Sequence, residues 1–205
     1  MNAEALKKQV CDTIDAMRGD LLSVSHYIHA NPELAFEEFK AAERLTAEVK
    51  RAGLTVQSAA FGCDTAFASE FGKAGAPRFA ILSEYDALPG IGHSCGHNII
   101  ATAGLGAALA LAKLGSALPG AVRYLGTPAE ERGGGKEVMA QSGAFDGVDA
   151  AMMVHPSGLD ILTMPCLAIA EVEAIYNGRS AHASAMPHRG INALDAVILA
   201  YQAIA

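Results

Sequence analysis

Residues 78–98 read RFAILSEYDALPGIGHSCGHN, and their order decides the fold. The apolar segment 78–82 has the length of a buried strand and runs straight into the polar group Ser83-Glu84-Tyr85-Asp86. A glycine-rich connection, Gly92-His93-Ser94-Cys95-Gly96-His97-Asn98, then opens a nearly uncharged Ala/Gly/Leu stretch over 98–114. A helix that is apolar all round belongs in the interior. Strand, polar loop and buried helix together make the crossover unit of a parallel sheet. In open α/β sheets ligands bind outside the carboxyl ends of the strands, so the chemistry is sought in these loops.

The pattern recurs on both sides. Residues 121–125 form a second buried strand that runs into Gly126-Thr127-Pro128-Ala129-Glu130-Glu131, followed by a helix over 134–141. Residues 150–154 form a third, ending at His155-Pro156. Upstream, apolar residues at helical spacing from Leu6 to Ile28 predict one helix over 3–30, stopped by the Asn31-Pro32 turn. A second helix is predicted over 36–51 with Gly53 as its C′ residue. Short strands follow at 55–59 and 66–71. The expectation is an α/β domain with a mostly parallel sheet and helices on both faces.

Further on the pattern changes. Residues 167–176 alternate (Ile169, Glu171, Glu173, Ile175) like a half-exposed strand, and 191–205 are helical. A second unit is therefore expected over 171–205, after a first over 1–170. The chain stops at Ala205 inside an apolar helical pattern, without a cap or a charged final turn, so the sequence is expected to be cut short there.

Composition excludes several classes. With 205 residues, 51% hydrophobic and 18% charged, the chain can bury a sizeable core without disulfide staples. A net charge of −7 argues against nucleic-acid binding, where a basic stripe is expected. The apolar run 99–112 is shorter than the ~18 residues a spanning helix needs. The amino terminus, MNAEALKKQVCDTIDAM, is charged from the start and does not read as a signal peptide. Four cysteines (Cys11, Cys63, Cys95, Cys166) without framework spacing read as thiols in a reducing compartment, so a cytoplasmic protein is expected.

Several of the polar residues have two readings. Cys95 is a buried thiol or, with His97 one glycine away, half of a pair that can turn onto one metal ion, since thiolate and imidazole suit zinc and similar metals. Glu130-Glu131 either complement a helix dipole or divide labour beside a metal, one as ligand and one as proton acceptor. His155 is a core histidine or a ligand at a strand end. Asp86 caps a turn or orients a ligand imidazole. Other motifs fail. The segment from Gly126 to Lys136 lacks the first glycine and the Ser/Thr of a phosphate loop, and neither Gly-x-Gly run has the third glycine of a dinucleotide fingerprint. A Cys95 nucleophile with a histidine base stays open as an alternative, although it leaves Glu131 and His155 without roles.

Taken together, SEYDALPGIGHSCGHN, GTPAEERGGGK, GAFDGVDAAMMVHP and GRSAHASAMPHRGINALDAV resemble the aminoacylase/carboxypeptidase-G-type dinuclear metallopeptidases. Within them the likeness is to the amidohydrolase branch that holds p-aminobenzoyl-glutamate hydrolase and β-alanyl-lysine dipeptidase, and it runs from about His26 to the last residue. It implies a phosphorylase/hydrolase-like metallopeptidase catalytic domain, followed by the start of an α+β lid and dimerisation domain. It further implies two divalent metal ions (zinc, manganese or cobalt), with Cys95 bridging, His97 and His155 on one ion and Glu131 on the other. Glu130 then matches the general base, Asp86 an aspartate beside the site, and His182 a lid histidine that polarises the scissile carbonyl across a homodimer. The implied substrate is a small N-acyl amino acid or dipeptide. A remaining histidine ligand follows the lid in this family and lies beyond Ala205, so the 205-residue piece is expected to be inactive or nearly so. A metal- or peptide-binding interaction module without catalysis is the alternative.

Overall fold

The computed structural model describes residues 2–162 and 172–204. They divide into two compact units, Met1–Leu159 and Asp160–Ala205.

The first unit begins with α1 (Ala3–Ala16) and α2 (Arg18–Ala30), where the sequence predicted one helix. The break falls at Met17, whose backbone (φ −89°, ψ 1°) ends one helix and begins the next. It lets Leu6 and Val10 of α1 and Val24 and Ile28 of α2 pack on the same core. Next comes α3 (Phe39–Arg51), three residues later than predicted. Phe36 has φ +65°, which a right-handed helix cannot include. The helix starts instead where the Glu33 carboxylate accepts the N–H groups of Lys40 and Ala41 at 2.9 and 3.0 Å. It ends as its sequence predicts: the N–H of Gly53 donates to the Lys50 carbonyl (2.9 Å) and that of Leu54 to the Val49 carbonyl (3.2 Å), a Schellman motif.

Five strands follow: β1 (Gln57–Ser58), β2 (Phe67–Gly72), β3 (Arg78–Ser83), β4 (Ala121–Gly126) and β5 (Ala150–Met152). Their order in the sheet is β1-β2-β4-β3-β5. The fold is α/β, as expected, and the sheet is mixed. β4, β3 and β5 are parallel, whereas β1 pairs with β2 and β2 with β4 antiparallel. Hydrophobic alternation reports which face a side chain takes, not which neighbour a strand chooses, so β2 carried no sign of its direction.

One face of the sheet packs Phe67, Ile81, Val122 and Tyr124 against α2, α3 and the buried α4 (His97–Ala112), through residues such as Leu45, Val49 and Leu105. Burying each such side chain contributes about 1.5–3 kcal/mol. On the opposite face Ala68, Ala80, Leu82 and Leu125 meet Met139 of α5 (Gly135–Gln141) and Ala144. The Arg123 guanidinium, on that face, donates to the Glu70 carboxylate across the β2–β4 pair (2.6 Å) and to the Ala144 carbonyl (2.7 Å). α4 lies very close to β3 because Gly104 has no side chain. A Cβ there would sit 2.2 Å from Ser83 Oγ and 2.9 Å from the Leu82 carbonyl oxygen.

In the second unit, α6 (Ala193–Ile204) matches the helix predicted near the end of the chain, and Arg179 pairs with Ile191 in an isolated bridge. The strand predicted over 167–176 lies partly outside the described residues, as does Cys166. Its described part, 172–176, forms no strand. Among the described residues no helix is long and apolar enough to cross a membrane.

Candidate metal centre

Three loops at the carboxyl ends of β3, β4 and β5 converge. From β3 come Glu84 and Asp86, both buried. Thr127, just after β4, donates its N–H to the Ser83 carbonyl (2.8 Å) and so places Glu130 and Glu131 beside them. His155 follows β5. The loop from 92 to 96 brings in Cys95 and then His97, the first residue of α4. Gly96, between those two, has φ +76°. That left-handed conformation is the one a glycine adopts without strain, and it turns the chain sharply enough for both side chains to enter the site.

His97 is the hub. It is 1% exposed, and its Nδ1–H donates to Asp86 Oδ1 at 3.0 Å. The other Asp86 oxygen accepts the Glu131 N–H at 2.9 Å. With the Nδ1 proton held there, Nε2 carries the lone pair. That atom is buried and has no hydrogen-bond partner. Around it stand Glu131 Oε1 at 3.6 Å, with Glu84 Oε2 and Glu130 Oε2 each at 3.7 Å. The His155 ring lies edge-on to His97 at 6.0 Å and 86°. Its Nδ1–H donates to the Pro156 carbonyl (2.7 Å), so its Nε2 is also free to coordinate.

Two triplets among the described residues bring donor atoms within 4.8 Å of one another: Glu84–His97–His155 and His97–Glu130–Glu131. Cys95 stands outside both, and its thiol is influenced most by the Glu131 carboxylate. The donor set, two imidazoles with carboxylates and a thiol, is one that zinc and similar divalent ions take. An unbonded imidazole nitrogen and an unbonded carboxylate oxygen, both buried, are what such an ion would satisfy. The residues fit.

The electrostatics agree. Glu84, Asp86, Glu130 and Glu131 crowd one site, with Lys136 of α5 ion-paired to Glu84. Burial and then the Glu84 carboxylate push the Glu130 carboxyl up, against the opposing pull of Lys136 and His97. Burial works to raise Asp86 as well, but the His97 and Glu131 hydrogen bonds outweigh it and hold Asp86 below its usual value. Burial works to lower His97, yet Asp86 and the neighbouring carboxylates leave it raised. The Glu131 hydrogen bond, burial and the surrounding negative charge push the Cys95 thiol up to about 11. A nucleophilic cysteine needs the opposite shift, which argues against the cysteine-nucleophile alternative. A coordinated cation reverses the balance and deprotonates the thiol outright.

All six site residues predicted in the first unit (Asp86, Cys95, His97, Glu130, Glu131 and His155) meet here. His182 belongs to the second unit, in an exposed turn where its Nδ1 accepts from the Ala185 N–H (3.3 Å) and pairs with the Ser184 hydroxyl (3.1 Å). Its proton is therefore on Nε2. Sequence reasoning gave Glu84 and Lys136 no role. Their available signal was a carboxylate two residues before Asp86 at the end of a buried strand.

Residues 80–203 match the profile of peptidase family M20/M25/M40. The chain belongs to that family. Among relatives of this M20 chain, the mouse (Mus musculus) Xaa-Arg dipeptidase is 43% identical over 97% of the chain and 49% of its own length. A p-aminobenzoyl-glutamate hydrolase polypeptide from Escherichia coli is 38% identical over 92% of the chain and 43% of its own length. The chain thus spans about half the length of these curated relatives. Among solved structures, the Bacillus subtilis YXEP protein, a dinuclear metal-binding peptidase of the M20 family, superposes with a TM-score of 0.62 at 26% identity. That match covers 67% of this chain and 42% of YXEP.

Proposed function

We propose that this M20 chain carries most of the active centre of a metal-dependent amidohydrolase that cleaves the amide bond of an N-acyl amino acid or dipeptide. The observation that carries the reading is His97 Nε2, buried and unbonded, with three carboxylate oxygens at 3.6–3.7 Å. The names of the relatives, an Xaa-Arg dipeptidase and a p-aminobenzoyl-glutamate hydrolase, support the substrate class.

Two divalent ions, zinc, manganese or cobalt, would be held by Cys95, His97, Glu131 and His155, and would supply Lewis-acid polarisation and acidification of water. The protein groups do the rest. Asp86 holds His97 in the coordinating tautomer and, through the Glu131 N–H, holds the Glu130-Glu131 turn in place. Glu130, raised toward neutrality by burial and its carboxylate neighbours, accepts a proton from the attacking water and returns it to the leaving amine. His182, with its proton on Nε2, donates to the carbonyl oxygen as negative charge develops. The lid around His182 is proposed to act in a homodimer, in the cytoplasm. The domain division at 170/171 is likewise a proposal.

The test is metal stoichiometry followed by turnover. The 205-residue chain is expected to retain divalent metal after dialysis and to hydrolyse little or no dipeptide or p-aminobenzoyl-glutamate. A protein extended to the length of its relatives is expected to hydrolyse one of them, and Glu130→Ala in it should abolish turnover while leaving metal content unchanged. Retention of no more metal than a His97→Ala variant would overturn the reading in favour of a non-catalytic module.

A further inference from the structure

Glu84 belongs to none of the roles above, and its placement calls for one. It is 2% exposed at the carboxyl end of β3. An ionised carboxylate in such a place is costly unless its charge and both its oxygens are matched. One oxygen is matched: Oε1 pairs with the Lys136 ammonium. The other, Oε2, is buried and has no hydrogen-bond partner. The Lys136 pair fixes which oxygen is left over. That oxygen lies 3.7 Å from His97 Nε2, beyond hydrogen-bonding distance. Both atoms are therefore buried lone-pair donors, 3.7 Å apart and without a hydrogen-bond partner.

From the structure we infer that Glu84 is a direct metal ligand, joining His97 and His155 on one divalent cation within these 205 residues. The inference rests on the metallohydrolase reading and extends it. The three donor atoms lie within 4.8 Å of one another. Bonds of about 2.0–2.2 Å to one tetrahedral ion separate neighbouring donors by about 3.3–3.6 Å, close to the Glu84–His97 spacing. Both imidazoles are already in the coordinating tautomer, His97 through Asp86 and His155 through the Pro156 carbonyl. Two imidazole nitrogens and a carboxylate oxygen are a ligand combination that catalytic zinc takes. None of the three ligands lies outside the chain, so this ion should bind without the remainder of the relatives' length.

The experiment is a zinc titration of the 205-residue chain by competition with a chromophoric chelator, together with a crystal structure of the zinc-loaded chain phased at the zinc edge. Expected is at least one tightly bound equivalent, with an anomalous peak about 2.0–2.2 Å from Glu84 Oε2 and from the Nε2 atoms of His97 and His155. Glu84→Ala and the near-isosteric Glu84→Gln should each weaken that site by about tenfold or more. An ion on His97 and His155 with the Glu84 carboxylate more than about 3 Å away overturns the inference and leaves the metallohydrolase reading intact. So does an unchanged dissociation constant in both Glu84 variants. If the unaltered chain binds zinc no better than His97→Ala, the metallohydrolase reading falls and this inference with it.

Discussion

Asp86 and His97 share a fully buried hydrogen bond of 3.0 Å, and the same Asp86 carboxylate accepts the Glu131 N–H at 2.9 Å. One side chain from the end of β3 thereby sets the tautomer of a residue on α4 and the position of the loop after β4. Asp86→Asn keeps the shape but removes the charge that secures the His97 Nδ1 proton. Zinc affinity of the 205-residue chain is expected to fall by about 10–100-fold, read by chelator competition. An unchanged affinity would show that packing alone orients His97.

Proton release should accompany metal uptake. The Cys95 thiol, pushed up to about 11, is protonated at neutral pH, and His97 is raised so that it holds its proton longer than usual. Both must lose that proton to coordinate. Zinc affinity should therefore rise with pH across about 6–8, because deprotonated ligands become more abundant. Calorimetry in buffers of different ionisation enthalpy measures the protons released, and Cys95→Ser should release fewer. A pH-independent affinity would contradict the assignment of both groups.

Glu38 is a structural carboxylate with no exposed surface, and it joins three segments. Its Oε1 accepts the N–H groups of Phe36 (3.0 Å) and Ala129 (2.8 Å), and its Oε2 accepts the Thr65 hydroxyl (2.7 Å). Glu38→Ala leaves buried donors unmatched and should cost about 2–4 kcal/mol in urea unfolding. Glu38→Gln keeps an oxygen for the two N–H groups and should cost far less. Burial, the largest influence, leaves the Glu38 carboxyl raised despite its hydrogen bonds. The unfolded chain therefore gives up this proton at lower pH than the folded one. Stability falls as pH climbs from the unfolded value, about 4.3, through the folded one, and is flat above it. The Gln variant lacks that loss, so its stability relative to the parent should improve over this window. A gap that does not change with pH would show that Glu38 is not held raised.

Gly104→Ala tests how tightly α4 sits on β3. The added methyl meets Ser83 Oγ at 2.2 Å and a backbone oxygen at 2.9 Å, and Ser83 is itself bonded to the Ala101 carbonyl and Tyr124. Overpacking of this kind costs about 1–3 kcal/mol, visible as a lowered thermal midpoint. A midpoint equal to the parent's would mean that the helix can retreat without penalty.

What was legible in the sequence was whatever local chemistry dictates. Period-2 and period-3.6 patterns located the strands and helices, Gly53 marked a helix end, and polar residues after apolar strands located the rim where Asp86, Cys95, His97, Glu130, Glu131 and His155 meet. Each of those signals is carried by residues near one another in the chain. Other features depend on partners far apart. The antiparallel seating of β2 beside β4 depends on which strand it meets, and the break at Met17 on the curvature of the core beneath it. Glu38 was unremarkable until Ala129, ninety-one positions away, came within hydrogen-bonding distance. Glu84 was one acid in a polar loop until Lys136 claimed one of its oxygens and His97 faced the other. Local sequence determined which groups reach the rim. Only the tertiary structure decided which of their polar atoms are left without a partner, because burial and long-range pairing, not residue type, determine whether a lone pair is satisfied or waiting for a cation.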